Sequence, residues 1–175
     1  MLGASYGATV ALHAAHTDRS QIRSLVLFEP PLFAAGPALA PALERYRAHV
    51  EQGSLAEAAW LFAADVARVP GPQLDALTPA GDDAAADPAE AVGCLHDLEA
   101  MAHDDTEIDR WAYVDVPVLL LQGEKTWAPV PATMDALAAV LPSVTRVVLA
   151  GQAHFATHTA PALFAQAVTK FLAAT

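Results

Sequence analysis

Near its amino terminus the chain reads GASYG, at residues 3–7, and this spacing of glycines around a serine is typical of a tight turn from a β-strand into an α-helix. Such a turn forces the serine into a strained backbone conformation, and it needs small residues on both sides because strand and helix nearly touch there. Gly3 and Gly7 meet that need, and the Ala-rich segment Tyr6–His16 suits the helix. The alternative is a flexible glycine turn that holds an ordinary serine. An apolar run at Ser24–Phe28, after the helix, favours the strand–turn–helix.

Unbroken apolar runs recur along the chain, with helical segments between them. Because the runs show no alternation of polar and apolar residues, they fit strands that are covered on both faces, as in a parallel sheet. The runs are Ser24–Phe28 and Val116–Leu121, and Thr145–Leu149 is predicted to be a further strand. Helices are predicted at Pro131–Leu141 and from Pro161 onward. The sequence therefore predicts the α/β class, with a mostly parallel sheet flanked by helices.

The pattern changes to helices alone over residues 36–112. Apolar residues recur there at helical spacing, as at Leu39, Leu43 and Tyr46. The small, polar and acidic segment Pro79–Asp87 is predicted to be a loop. An all-helical insertion of this length needs a surface to pack against. We therefore predict that it forms a helical cap or lid, and that the α/β core consists of residues 1–35 and 113–175.

Four segments together resemble the α/β-hydrolase superfamily. They are GASYG with its helix, LVLFEPP at residues 25–31, PVLLLQG at residues 117–123, and GQAHF at residues 151–155 before a proline-led helix. The resemblance covers essentially the whole chain, and it implies the C-terminal part of an α/β-hydrolase fold with an inserted helical cap. It also implies that roughly 100 residues of strands and helices would precede residue 1, so the chain is expected to be N-terminally truncated.

The same resemblance implies a serine, a histidine and an acid as a catalytic triad. Ser5 has the place of the nucleophile, and the backbone N–H of Tyr6 has the place of an oxyanion-hole donor. In the family, a histidine just after the last strand is the catalytic base, and His154 has that position. His158, slightly further along, is the competing candidate.

The acid of this triad is open between two carboxylates. In most of the family an aspartate follows the strand that here ends at Leu121, but Thr126 has its place, and a threonine cannot replace an anion. Glu124 lies in the same loop. Glu29, at the end of the preceding strand, matches the place of the acid in members that resemble haloalkane dehalogenases, and we prefer it. The alternative for Glu29 is a structural carboxylate that accepts backbone N–H bonds at the Pro-Pro turn.

The composition argues against several other classes of function. A net charge of −11 and a pI of about 4.8 argue against binding to nucleic acid or to an anionic membrane, since both need clustered Lys and Arg. No apolar run reaches the roughly 18 residues that a membrane-spanning helix needs. The single cysteine, Cys94, excludes an intrachain disulfide and a cysteine-based zinc site, and no histidine pair has a metal-ligand setting. We therefore expect no metal, no cofactor and a cytoplasmic location.

The predicted chemistry is hydrolysis of a small-molecule substrate. A serine nucleophile favours an ester or a thioester, and an apolar pocket is expected. Candidate pocket residues are Trp127, Trp60 and Phe62, for each of which ordinary packing is the competing explanation. The competing hypothesis for the whole chain is a non-catalytic remnant or interaction module of the same fold, which Thr126 at the usual acid position favours. If the chain is truncated, weak or absent activity is expected, and the sequence predicts no particular oligomeric state.

Overall fold

The chain forms two compact units over the residues that the computed structural model describes, which are 1–69, 71 and 87–175. The first unit consists of Met1–Ala34 and Thr106–Thr175, and the second of Ala35–Asp105. The predicted loop Pro79–Asp87 lies outside the described residues, except for Asp87. The assignment of a cap or lid to residues 36–112 remains a prediction.

The strands of the first unit form one parallel sheet, and neighbouring strands in the sheet are consecutive strands of the chain. They are β1 (Leu2–Ala4), β2 (Leu25–Phe28), β3 (Val118–Gly123) and β4 (Val144–Leu149). β1 and β2 end in step, because Ala4 pairs with Phe28, and β3 continues for two residues past Leu121, the partner of Phe28. Residues that follow these strands therefore emerge at the same edge of the sheet.

Helices account for most of the remaining described residues. In chain order the α-helices are α1 (Tyr6–Thr17), α2 (Ala40–Glu51), α3 (Leu55–Leu61), α4 (Pro88–His103), α5 (Val130–Val140), α6 (Ala156–Thr159) and α7 (Pro161–Leu172). Short 3-10 or π-helical turns lie at Leu32–Ala34, Pro37–Leu39, Phe62–Val66 and Asp109–Tyr113. The second unit contains α2, α3 and α4, and the other α-helices belong to the first. Within the described parts of the chain, none of the helices combines the length and the apolar character that crossing a bilayer requires.

Alternate residues of the strands pack on opposite faces of the sheet. One apolar cluster joins α1 and α5 to the strand residues Leu25, Leu27, Val118 and Leu120. A second cluster joins α7 to the intervening strand residues Val26, Phe28, Leu119 and Leu121. All of these strand side chains are buried. Both faces of β2 and β3 are covered in this way, which explains the unbroken apolar runs there and confirms the predicted α/β class. In β4, by contrast, Thr145, Arg146 and Val148 are exposed.

The second unit has an apolar core of its own, to which α2, α3 and α4 each contribute. Tyr46 is buried there, and its hydroxyl donates to the Ala91 carbonyl at 3.3 Å. Burial raises the pKa of Tyr46 above its usual value, and burial raises the pKa of the Cys94 thiol as well. Tyr46 and Cys94 both belong to the apolar cluster of this unit.

Candidate active site

Three of the predicted site residues lie beyond strand ends at one edge of the sheet. Ser5 follows β1, Glu29 follows β2, and His154 lies in the segment after β4. The first two extend the sheet's hydrogen bonds: the Ser5 N–H donates to the Phe28 carbonyl at 2.8 Å, and the Glu29 N–H donates to the Leu121 carbonyl at 3.2 Å. The strand register thus fixes the backbones of Ser5 and Glu29 relative to each other.

The backbone of Ser5 has the strain that a strand-to-helix turn requires. Its φ is 53° and its ψ is −128°, a combination that L-amino acids rarely adopt. α1 begins at the next residue, Tyr6, and the Ala8 N–H donates to the Ser5 carbonyl at 2.9 Å. The Ser5 side chain makes no capping hydrogen bond to this helix. Its hydroxyl is instead directed to a partner on another element.

The close approach of strand and helix leaves no room for a side chain at Gly3, whereas among the described residues it leaves room for one at Gly7. A Cβ added at Gly3 would lie 2.2 Å from the Gly7 carbonyl oxygen and 2.7 Å from the Ala8 Cα atom, both of which are backbone atoms. A Cβ added at Gly7 would meet nothing within 4 Å among the described residues. The predicted need for small residues on both sides of Ser5 therefore holds at Gly3, whereas the described structure leaves room at Gly7.

We expect Gly3→Ala to lower the free energy of unfolding by about 2–3 kcal/mol, because the backbone atoms beside it cannot move aside without opening the turn. Gly7→Ala is the matched control, and it should leave stability unchanged or raise it by up to about 1 kcal/mol, since alanine is the better helix former. Chemical denaturation of both variants beside the parent protein measures the difference. A Gly3→Ala variant as stable as the Gly7→Ala variant would contradict this description of the turn.

A chain of hydrogen bonds connects the three side chains. The Ser5 Oγ lies 2.9 Å from the His154 Nε2, and the His154 Nδ1 lies 2.5 Å from the Glu29 Oε2. A carboxylate only accepts hydrogen bonds, so the neutral imidazole carries its proton on Nδ1. The Nε2 is then left to accept the hydrogen bond that the Ser5 hydroxyl donates. This is the arrangement in which an imidazole can remove the serine proton.

The Glu29 carboxylate is fully buried and has a donor on each oxygen. Its Oε1 accepts from the Gly123 N–H at 2.7 Å, and its Oε2 accepts from the Thr126 hydroxyl at 2.8 Å, beside the His154 ring. A buried carboxylate would be costly without such partners. The Glu29 backbone also has a positive φ, of 49°, which is uncommon for a residue other than glycine. The structure thus brings Glu29, of the two candidate acids, to the histidine.

The competing residues lie elsewhere. The Glu124 Oε2 accepts from the backbone N–H of Gly151 at 2.7 Å, and Glu124 is exposed. His158 is also exposed, with its Nδ1 2.9 Å from the Thr157 hydroxyl. Over the part of the chain that the structure describes, no group of three or more His, Cys, Asp or Glu side chains is arranged to hold a metal ion.

Aromatic rings surround the imidazole of His154. Phe28 stacks on it with ring centroids 6.0 Å apart, and the edges of Trp127 and Phe155 approach it at 6.0 and 5.6 Å. His154 is itself only 8% exposed, so its hydrogen bonds are formed in a largely apolar setting. Trp127, one of the predicted pocket residues, is therefore next to the histidine.

The other two predicted pocket residues belong to the second unit. Trp60 is 46% exposed and lies in a shallow surface depression together with His49 and Leu61. Phe62 is half-buried and packs against Tyr46, with ring centroids 6.4 Å apart. Their contact with a substrate remains a prediction.

Two groups that hold Glu29, the Gly123 N–H and the Thr126 hydroxyl, are not among the site residues predicted from the sequence. From the sequence, Thr126 is only the absence of the usual aspartate. A signal was nevertheless present, because a carboxylate at a buried strand end needs donors, and the end of the neighbouring apolar run is the nearest place for them. A hydroxyl at residue 126 is such a donor.

Together the fold and the site define a class of protein: a parallel α/β protein in which a serine, a histidine and a glutamate converge beyond the carboxyl ends of the strands. The family model of the alpha/beta hydrolase fold matches residues 1–161. The chain belongs to the α/β hydrolase family. A comparison with curated proteins gave no match.

Solved structures of the same fold resemble the chain over nearly its whole length. An α/β hydrolase from Sphaerobacter thermophilus is 25% identical with a TM-score of 0.73, and the match covers 98% of this chain and 66% of that one. An α/β hydrolase from a Medee basin deep-sea metagenome library is 17% identical with a TM-score of 0.74, covering 99% and 64%. The proline iminopeptidase of Mycobacterium smegmatis is 23% identical with a TM-score of 0.59, covering 98% and 63%. The chain thus spans about two thirds of the length of these proteins.

Proposed function

We propose that the chain is the part of a serine hydrolase that carries its nucleophile, its base and its acid, and that its reaction is acyl transfer to water. The observation that carries the proposal is the continuous hydrogen-bond chain from Ser5 Oγ through the His154 imidazole to the Glu29 carboxylate. A serine hydroxyl is a weak nucleophile until a base within hydrogen-bond reach can take its proton. The distances of 2.9 and 2.5 Å along this chain meet that requirement.

In the proposed mechanism, His154 Nε2 takes the proton of Ser5 as its Oγ attacks the carbonyl carbon of the substrate. The Glu29 carboxylate holds the Nδ1 proton and stabilises the imidazolium that forms. The imidazolium then gives its proton to the leaving group, which departs and leaves an acyl group on Ser5. A water molecule, activated by the same imidazole, attacks the acyl carbon and releases the acid.

The negative charge that develops on the carbonyl oxygen needs hydrogen-bond donors. Ser5 precedes α1 directly, so the oxygen would lie at the amino end of that helix. This end favours negative charge, because the helix dipole is positive there and the first N–H groups point outward. Tyr6, the first residue of the helix, is the proposed backbone donor.

The proposed substrates are esters or thioesters with a small apolar acyl group. The aromatic rings around His154 support an apolar site, and Trp127 is the pocket residue nearest to the chemistry. Trp60 and Phe62 remain candidates for the same role. No metal or cofactor enters the mechanism, since the serine, the histidine and the carboxylate are sufficient for acyl transfer.

Thr126 at the usual position of the acid favours the alternative of a non-catalytic remnant. The presence of a threonine in place of the usual aspartate has a different explanation if Glu29 is the acid, because the Thr126 hydroxyl donates to Glu29. The strained φ of 53° at Ser5 also supports the catalytic hypothesis, since such strain is found mostly at functional sites.

A fluorophosphonate probe tests the proposal directly. Because covalent labelling accumulates with time, it detects even a slow nucleophile. We expect the folded protein to be labelled, mass mapping to place the adduct on Ser5, and p-nitrophenyl butyrate to be hydrolysed. Heat-denatured protein is the control, since it keeps the serine and loses the site. Absence of labelling after prolonged incubation, with circular dichroism showing a folded protein, would refute the proposal.

A further inference from the structure

The Oε2 atom of Glu29 accepts two hydrogen bonds, and only one of them comes from the histidine. The His154 Nδ1 lies 2.5 Å from it, and the Thr126 Oγ1 lies 2.8 Å from it. The other carboxylate oxygen is held by the Gly123 N–H at 2.7 Å. The Gly123 N–H and the Thr126 hydroxyl therefore fix the rotation of the carboxylate independently of the histidine.

This rotation matters because the last side-chain torsion of glutamate is soft, with a broad range of accessible angles. If the carboxylate turned, Oε2 would leave the line of the His154 Nδ1–H bond. The Gly123 N–H holds Oε1 only, and it does not by itself fix where Oε2 points. The Thr126 hydroxyl supplies the second fixed point.

The turn that carries Thr126 is tied to the segment that carries His154. The Lys125 N–H donates to the Gln152 carbonyl at 2.7 Å. A Cβ added at Gly123 would lie 2.6 Å from that same carbonyl oxygen, so the two segments are in close contact. Thr126 thus holds the carboxylate from a turn whose position is already set relative to the imidazole.

The hydroxyl of Thr126 does not depend on Glu29 for a hydrogen-bond partner. Thr126 is only half-buried, so its hydroxyl has access to water as an alternative partner. Glu29 is fully buried and has no such alternative. The group that benefits from the bond is therefore the carboxylate.

We propose that Thr126 is a positioning residue of this hydrolase, which acts through Glu29 to aim the carboxylate at the His154 Nδ1. The inference rests on the proposed function for its catalytic consequence, but not for its geometry. The proposal assigns a role to Thr126, which has the position of the acid in most of the family. In this chain the turn after β3 supplies a hydrogen-bond donor to Glu29 instead.

The test compares Thr126→Val, which removes the hydroxyl and keeps the shape, with Thr126→Ser, which keeps the hydroxyl and removes the methyl group. We expect Thr126→Val to label with the fluorophosphonate probe about tenfold more slowly than the parent protein, the loss expected for part of one charge-assisted hydrogen bond. Thr126→Ser should label within about twofold of the parent rate. Thermal melting of both variants checks that they are folded, and Thr126→Ala replaces Thr126→Val if the latter is not.

A second readout does not depend on activity. In the parent protein the His154 Nδ1 proton, held by Glu29, should give a far-downfield NMR signal, assigned by its absence in His154→Asn. The signal should move upfield or broaden in Thr126→Val and stay in place in Thr126→Ser. An unchanged signal in Thr126→Val, or a Thr126→Ser variant as impaired as Thr126→Val, would overturn the inference. If the parent protein is not labelled but the signal responds as expected, the proposed function fails and the positioning role stands.

Discussion

Replacing His154 with alanine is expected to lower the rate of p-nitrophenyl ester hydrolysis by roughly 10⁴-fold or more, and to slow fluorophosphonate labelling to a comparable extent. The reason is that the His154 Nε2, at 2.9 Å, is the atom placed to take the Ser5 proton. Without a base the hydroxyl must lose its proton to water, and the imidazolium that Glu29 would stabilise cannot form. Steady-state rates of the two proteins, measured under the same conditions, give the ratio.

His158→Ala is the matched control for that experiment. His158 lies on the same segment of the chain but is exposed and is bonded to its neighbour Thr157. Its replacement should leave hydrolysis within about twofold of the parent rate, as expected for a surface residue away from the chemistry. If His158→Ala lost activity and His154→Ala kept it, the assignment of the base would be wrong.

Glu29→Gln is expected to reduce hydrolysis by roughly 10⁴-fold, because it favours the wrong tautomer of His154. The Gly123 N–H needs an acceptor, so it should hold the glutamine carbonyl oxygen in the place of Oε1. The glutamine NH₂ group would then face the histidine, and the Thr126 hydroxyl can accept from it. The His154 Nδ1 becomes an acceptor, its proton moves to Nε2, and that nitrogen can no longer take a proton from Ser5.

Glu124→Gln separates this effect from a general loss of negative charge near the site. Glu124 accepts from the Gly151 N–H, and a glutamine carbonyl can accept the same hydrogen bond. Hydrolysis by this variant should therefore stay within about twofold of the parent rate. The pair of variants assigns the acid: a large loss in Glu124→Gln with activity kept in Glu29→Gln would show that the carboxylate that serves the histidine in solution is not the one described above.

The sheet could be predicted from the sequence because burial on both faces leaves an unambiguous pattern. Alternate residues of a strand such as Leu25–Phe28 face different layers, so all of them must be apolar. The turn at Ser5 could also be predicted, since the close approach at Gly3 admits no side chain. The turn follows from local sterics and the strands from burial on both faces, and each leaves its pattern within a short stretch of sequence.

The acid could not be fixed in the same way. Glu29 and Glu124 follow neighbouring strands, and which carboxylate reaches the histidine depends on loop conformation and on partners far away in sequence. The donors that hold Glu29, at Gly123 and Thr126, are remote from it along the chain. No pattern within either segment shows that these groups meet. The sequence alone therefore does not reveal that Thr126 donates a hydrogen bond to Glu29.

The three side chains do not depend equally on the sheet. Ser5 and Glu29 are joined to it by their own backbone hydrogen bonds, whereas His154 lies in the carboxyl-terminal segment, whose Gln152 carbonyl accepts from Lys125 in the turn after β3. Partial detachment of that segment would withdraw the imidazole while the hydroxyl and the carboxylate kept their spacing. On warming, we expect enzymatic activity to be lost at a lower temperature than the one at which the whole protein unfolds, because subglobal opening costs less free energy than global unfolding.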